Sequence, residues 1–89
     1  MASVYFVASV TNASAILARA KEVYGDEAIF RLTDDKFFVS TSDPSLEVSK
    51  KVGFRGDDYV GTGIVLRVTT FNGRASASLW EWLTPRLEA

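Results

Sequence analysis

The chain contains no cysteine and no histidine. The first absence removes disulfides and thiol nucleophiles, the second removes imidazole bases, and together they remove every usual structural zinc site. Much catalytic chemistry goes with them. A core held without disulfide staples is more expected inside a cell, so the chain is read as cytoplasmic. Long apolar runs are also missing. The longest, Val4 to Val10, is far too short to span a bilayer, and no basic segment precedes it as a secretory signal would require. No membrane partner is expected. Charge of one sign is lacking as well: ten basic against eleven acidic residues leave a net charge of −1. No global field draws such a chain to polyanions, and only local patches remain.

What is present is ordinary globular composition, 47% hydrophobic and 24% charged over 89 residues, with no low-complexity segment. That length predicts a single domain, 1–89, burying about 9,000 Å² on folding by the scaling of surface with mass.

Val4 to Val10 is β-branched and aromatic, ends at Thr11-Asn12, and reads as a buried strand. Asn12 suits a helix N-cap. Ile16, Ala20, Val23 and Tyr24 then recur at helical spacing with Leu17 beside them, and Gly25 supplies the stop. Ala28 to Leu32 and Lys36 to Thr41 are two short strands whose connection, Thr33-Asp34-Asp35, forces antiparallel pairing. Asp43-Pro44 sets a capping carboxylate before a proline at the first helical position, Leu46, Val48 and Val52 give a short second helix, and Gly53 ends it. Residues 54–63, with three glycines and two aspartates, read as an exposed, mobile loop. Ile64 to Phe71 is a fourth strand. The order β-α-β-β-α-β predicts an α+β, ferredoxin-like fold with a C-terminal extension, 72–89. In that extension Asn72-Gly73 signals a hairpin and a fifth strand, whereas Ser78-Leu79-Trp80-Glu81 matches a capping box and Trp80, Leu83 and Leu87 lie at helical spacing. Helix is favoured, with Pro85 expected to strain or end it.

Two helices on one face of the sheet leave the other face to be explained. On the first strand Val4, Phe6, Ala8 and Val10 form the more uniformly apolar set and are assigned to the helices, which turns Tyr5, Val7 and Ser9 outward. By the same logic Phe37, Val39 and Thr41 point inward and Lys36, Phe38 and Ser40 outward, while the fourth strand turns Ile64, Leu66 and Val68 in and Val65, Arg67 and Thr69 out. The outward face then carries Tyr5 and Phe38 with Lys36 and Arg67 around them. Such a patch needs a cover or a partner. Its occupant is the C-terminal segment with Trp80 and Trp82, a second copy meeting it through the sheet or its edge, or stacked bases of a single-stranded nucleic acid. Trp80 and Trp82 lie about 160° apart on a helix, so one is expected in the core and the other at an interface, where Trp is enriched.

Residues 4–10 and Asp35-Lys36-Phe37-Phe38-Val39-Ser40-Thr41 resemble the two signature strands of the RNA-recognition motif, over roughly the first two-thirds of the chain. That resemblance implies Tyr5 or Phe6 and Phe38 as stacking residues and Lys36 as a phosphate contact; the glycine that precedes the second-strand aromatics in that motif has no counterpart. The element order, Phe37 to Thr41, and Gly63-Ile64-Val65-Leu66-Arg67-Val68 before Trp80-Glu81-Trp82-Leu83 are also similar to small ferredoxin-fold proteins akin to the CRISPR spacer-integration nuclease. That resemblance implies dimerisation through the sheet. The metal-binding aspartate ending the first strand in that family is absent from Ala8-Ser9-Val10-Thr11, which suits a degenerate relative kept for binding.

No catalytic constellation is expected, nor a metal or a cofactor. Asp34-Asp35 and Asp57-Asp58 are adjacent aspartate pairs, read as solvated turns rather than a magnesium site. The glycines around Arg55 lack the spacing of a phosphate cradle. Lys50, Lys51 and Arg55 complement a helix dipole or, with Arg74, form a small anion patch. The expectation is a non-enzymatic, homodimeric protein-interaction module using Tyr5, Lys36, Phe38, Arg67, Trp80 and Trp82. The alternatives are a single-stranded nucleic-acid binder and a degenerate metal-dependent nuclease relative.

Overall fold

β-branched and aromatic residues at 3–9 place the first strand, β1 (Ser3–Ser9), at the centre of the molecule. The computed structural model describes residues 2–88. Helix α1 (Ala13–Tyr24) follows, then a single 3-10 turn at 26–28 and the hairpin of β2 (Ile29–Thr33) and β3 (Lys36–Thr41). Helix α2 (Ser45–Val52), strand β4 (Gly63–Val68) and helix α3 (Ala77–Glu88) complete the chain. The strands run β2-β3-β1-β4, all neighbours antiparallel, so the chain is an α+β domain of ferredoxin-like architecture with a helical C-terminal extension.

The two helices of the βαββαβ body cover one sheet face. Ile16 and Ala20 of α1 and Val48 and Val52 of α2 pack on Tyr5, Val7, Ile29, Phe37 and Val39, all buried. The facing expected for β1 is therefore reversed: Tyr5 and Val7 lie beneath the helices, while Val4 and Phe6 point the other way. Register decides this. Tyr5 pairs with Val39 and Val7 with Phe37, and directly opposed residues share a face. Apolarity alone misleads because α3 buries Val4 on the far side, so the strand is apolar on both faces and carries little alternation. β4 is reversed as well. Val65 packs toward the helices, whereas Ile64 and Leu66 are exposed on the other face.

Capping also departs from expectation. Asn12 stands at the N-cap of α1 in the left-handed region, φ 55°, but its side chain makes no cap bond. Its Nδ2 instead donates to the Val60 carbonyl at 2.6 Å. At α2 the N-cap is Pro44, and Asp43 is engaged elsewhere. Residues 53–62 are tied down rather than loose. Arg19 donates to the carbonyls of Lys51 and Asp58 and to the Asp58 carboxylate, and Thr62 bonds Thr11 through backbone and hydroxyl. The glycines here serve close approach: a Cβ at Gly61 would collide with the Thr11 carbonyl, and one at Gly53, φ 105°, with the Val60 side chain.

In the extension α3 begins with the Leu79 amide bonded to the Ser76 carbonyl. It runs through Pro85 to Glu88 rather than ending there. Among the described residues no fifth strand follows Asn72-Gly73, because Leu79 and Leu83 need a helical face to reach Val4 together.

Candidate functional site

One row of side chains crosses the sheet on the face away from α1 and α2. Pairing of Phe30 with Phe38, Phe38 with Phe6, and Phe6 with Leu66 puts these four on successive strands from β2 to β4. Helix α3 covers only the first half of this row. Leu79 and Leu83 are buried against Val4, and Trp82 lies 6.0 Å from Phe30 and 6.4 Å from Phe38, ring to ring. Trp82 is itself fixed: its Nε1 donates to the Glu27 carbonyl, and the Arg86 guanidinium sits 4.2 Å over its ring while donating to the carbonyls of Trp82 and Glu27. Trp80 stacks on Phe71 at 5.4 Å, on the link that leads from β4 to α3.

The second half of the row is bare. Phe6 is half-buried and meets the Phe38 ring at 5.2 Å, but on β4 Ile64 is 53% and Leu66 48% exposed. An apolar strip of this kind on a strand that pairs on one side only combines two sources of affinity, buried area and unpaired main-chain groups. Lys36 lies at the far end of the same face, its ammonium 3.0 Å from the Asp35 carboxylate. Bonds from Thr33 and Lys36 hold the Asp35 carboxyl below its ordinary range.

Of the residues singled out from sequence, Phe38, Trp80, Trp82 and Lys36 share this face, and both tryptophans are half-buried instead of dividing between core and interface. Tyr5 and Arg67 do not belong to it. They are register partners with the opposite facing, Tyr5 5% exposed beneath the helices and Arg67 exposed on the edge strand. Apolar patterning turns Phe6, Ile64 and Leu66 inward, so Ile64 and Leu66 are missing from the expected site and Phe6 enters it only through the resemblance to the RNA-recognition motif. The signal that finds them is register: once Phe38 is outward, Phe6 and Leu66 must be too.

The helix side holds a closely knit polar cluster. Asp43 accepts from the Tyr24 hydroxyl at 3.0 Å and from the Lys51 ammonium at 2.7 Å through one carboxylate oxygen, and its main-chain carbonyl accepts from the Tyr5 hydroxyl at 2.8 Å. The Lys51 bond holds the Asp43 carboxyl low, and the same bond pushes the Lys51 ammonium up. Burial first, then the bond to Asp43, pushes the Tyr24 phenol up. Through these bonds the cluster joins strand, helix and turn. Of the other carboxylates flagged from sequence, Asp34 pairs with Arg31, Asp35 with Lys36 and Asp58 with Arg19. Among the described residues no three acidic side chains converge as a metal site would require, and no helix is long and apolar enough to cross a membrane.

The fold and this half-covered sheet define a small α+β domain with an exposed apolar strip at one sheet edge. Comparison of the chain with family models, curated proteins and solved structures found no match.

Proposed function

We propose that this chain is a non-enzymatic, cytoplasmic protein-interaction module that works as a homodimer, its second copy occupying the bare β1/β4 half of the sheet. The observation that supports this is the unequal treatment of the two sheet edges. β2 is guarded: its pairing with β3 shifts at a bulge between Arg31 and Thr33, it carries an Arg31–Asp34 ion pair, and Trp82 and Arg86 clamp the chain at Glu27 where it enters. β4 has none of these devices. Its pairing with β1 is unbroken from Gly63 to Val68, it contains no proline, and Arg67 is its single charge. Soluble domains normally blunt a free edge with charge, proline or a bulge, and an edge left flat beside exposed Ile64 and Leu66 is suited to pairing.

Light scattering on the purified chain tests this. The wild type should run at twice the chain mass at high micromolar concentration, and Leu66→Lys, which alters a side chain already half in solvent, should run at the mass of one chain. A wild type that stays monomeric, or a Leu66→Lys variant as dimeric as the wild type, removes the proposal.

A further inference from the structure

Main-chain bonding in β1 determines which groups β4 turns outward. The Ser9 amide donates to the Asp35 carbonyl, on the β3 side, at 2.8 Å, and the Val10 amide donates to the Thr62 carbonyl, on the β4 side, at 2.7 Å. Alternate residues of a central antiparallel strand bond to opposite neighbours. Val4, Phe6 and Ala8 therefore turn their main-chain groups toward β4, where their partners are Val68, Leu66 and Ile64. The N–H and C=O of Gly63, Val65 and Arg67 point the other way, to the open edge. Among the described residues no loop bonds to them.

This outward set is symmetric about Val65. We infer that two copies join through their β4 strands, antiparallel about a twofold axis at Val65, so that two four-stranded sheets become one continuous sheet. The inference rests on the self-association reading above and specifies its geometry. Val65 then faces Val65 of the second copy, and Gly63 faces Arg67 of the second copy in both directions. These pairs exchange about six main-chain hydrogen bonds, two per pair of outward-facing residues. On the uncovered face Ile64 lies opposite Leu66 of the second copy, so the two exposed side chains of the edge are buried against each other. Neighbouring registers do less well. An axis at Leu66 uses only Val65 and Arg67 among the strand's outward groups, and an axis at Arg67 sets two guanidinium side chains opposite one another.

Three measurements decide it. Amide exchange followed by NMR over a concentration series should show protection growing at Val65 and Arg67 while Ile64 and Leu66, already bonded to β1, stay unchanged. Since the chain has no cysteine, single thiols report the register without background. Oxidising a mixture of Ile64→Cys and Leu66→Cys should give a disulfide-linked heterodimer, and oxidising either alone should give little. Arg67→Pro, which removes an outward N–H on an exposed residue and leaves the bonds to β1, should weaken the dimer by roughly ten- to a hundredfold while the monomer stays folded. A dimer with no concentration-dependent protection at Val65 and Arg67 overturns the edge pairing and leaves self-association standing. Efficient crosslinking of Leu66→Cys with itself overturns the Val65 register. A monomer throughout overturns both.

Discussion

Replacing Leu83 by alanine should release α3 from the sheet before the rest of the domain melts. Leu83 is 1% exposed and belongs, with Leu79 and Val4, to a cluster separate from the one beneath α1 and α2. Helix α3 has 12 residues with Pro85 inside it, too short and too interrupted to persist without packing. Its two buried leucines each contribute about 1.5–3 kcal/mol by area burial. Truncating a buried leucine costs about 2–5 kcal/mol once the cavity is counted, comparable to what these two leucines together contribute to holding α3. The larger cluster does not involve Leu83 and should survive. Both tryptophans of the chain, Trp80 and Trp82, lie on α3, so their fluorescence reports its docking alone, while far-UV circular dichroism reports mainly the body. In the wild type the two thermal transitions should coincide. In Leu83→Ala the emission should shift to the red, and its midpoint should precede the dichroism midpoint by roughly 10 °C or more. A variant with wild-type emission and coincident transitions would refute the view of α3 as a separately held cover.

Further outcomes concern other parts of the molecule. Gly53→Ala should destabilise by about 1–2 kcal/mol or more in a denaturant titration, since the residue is left-handed and faces the Val60 side chain; an unchanged midpoint would deny both constraints. Ser9→Ala should be neutral or stabilising by up to about 1 kcal/mol, because its buried hydroxyl has no partner among the described residues, and a clear loss of stability would show that it is bonded. The Asp43 cluster sets two pH limits. With its folded-state pKa lowered, Asp43 adds stability above the ordinary carboxylate range that is lost on acidification through it; with theirs raised, Tyr24 and Lys51 lose their contribution as pH rises beyond the ordinary phenol and ammonium ranges. Melting temperatures of Asp43→Asn should therefore vary less with pH at both ends, and an identical profile would sink the assignment. Mixed single-stranded oligonucleotides at low salt should not bind, because Phe38 is engaged by Trp82 and Lys36 by Asp35; saturable binding lost in Phe6→Ala would favour the nucleic-acid reading instead.

The order of elements, the antiparallel hairpin and the helical extension follow from patterns local to the chain: strand-forming runs at 4–10 and 36–41, glycine stops at Gly25 and Gly53, and apolar spacing at Trp80, Leu83 and Leu87. Facing does not. A rule that buries the more apolar side of a strand works for β3, where Phe37 and Val39 do lie beneath the helices. It fails for β1, apolar on both sides because α3 folds back, and for β4, whose most apolar side is the exposed one. The second failure is informative, since an edge strand that leaves Ile64 and Leu66 in solvent disobeys the patterning a lone monomer would follow. Asp43 and Arg19 were out of reach for a different reason. Their partners lie 8 to 39 residues away in sequence, and only the folded chain brings Tyr24, Lys51 and Asp58 to them.

On the proposal above, the β4 edge of this domain receives a second copy of the chain. Sedimentation velocity on the wild type, from low to high micromolar concentration, bears on it most directly. A reversible monomer–dimer equilibrium, with the dimer predominating at the upper end, is predicted; one monomeric boundary at every concentration contradicts it.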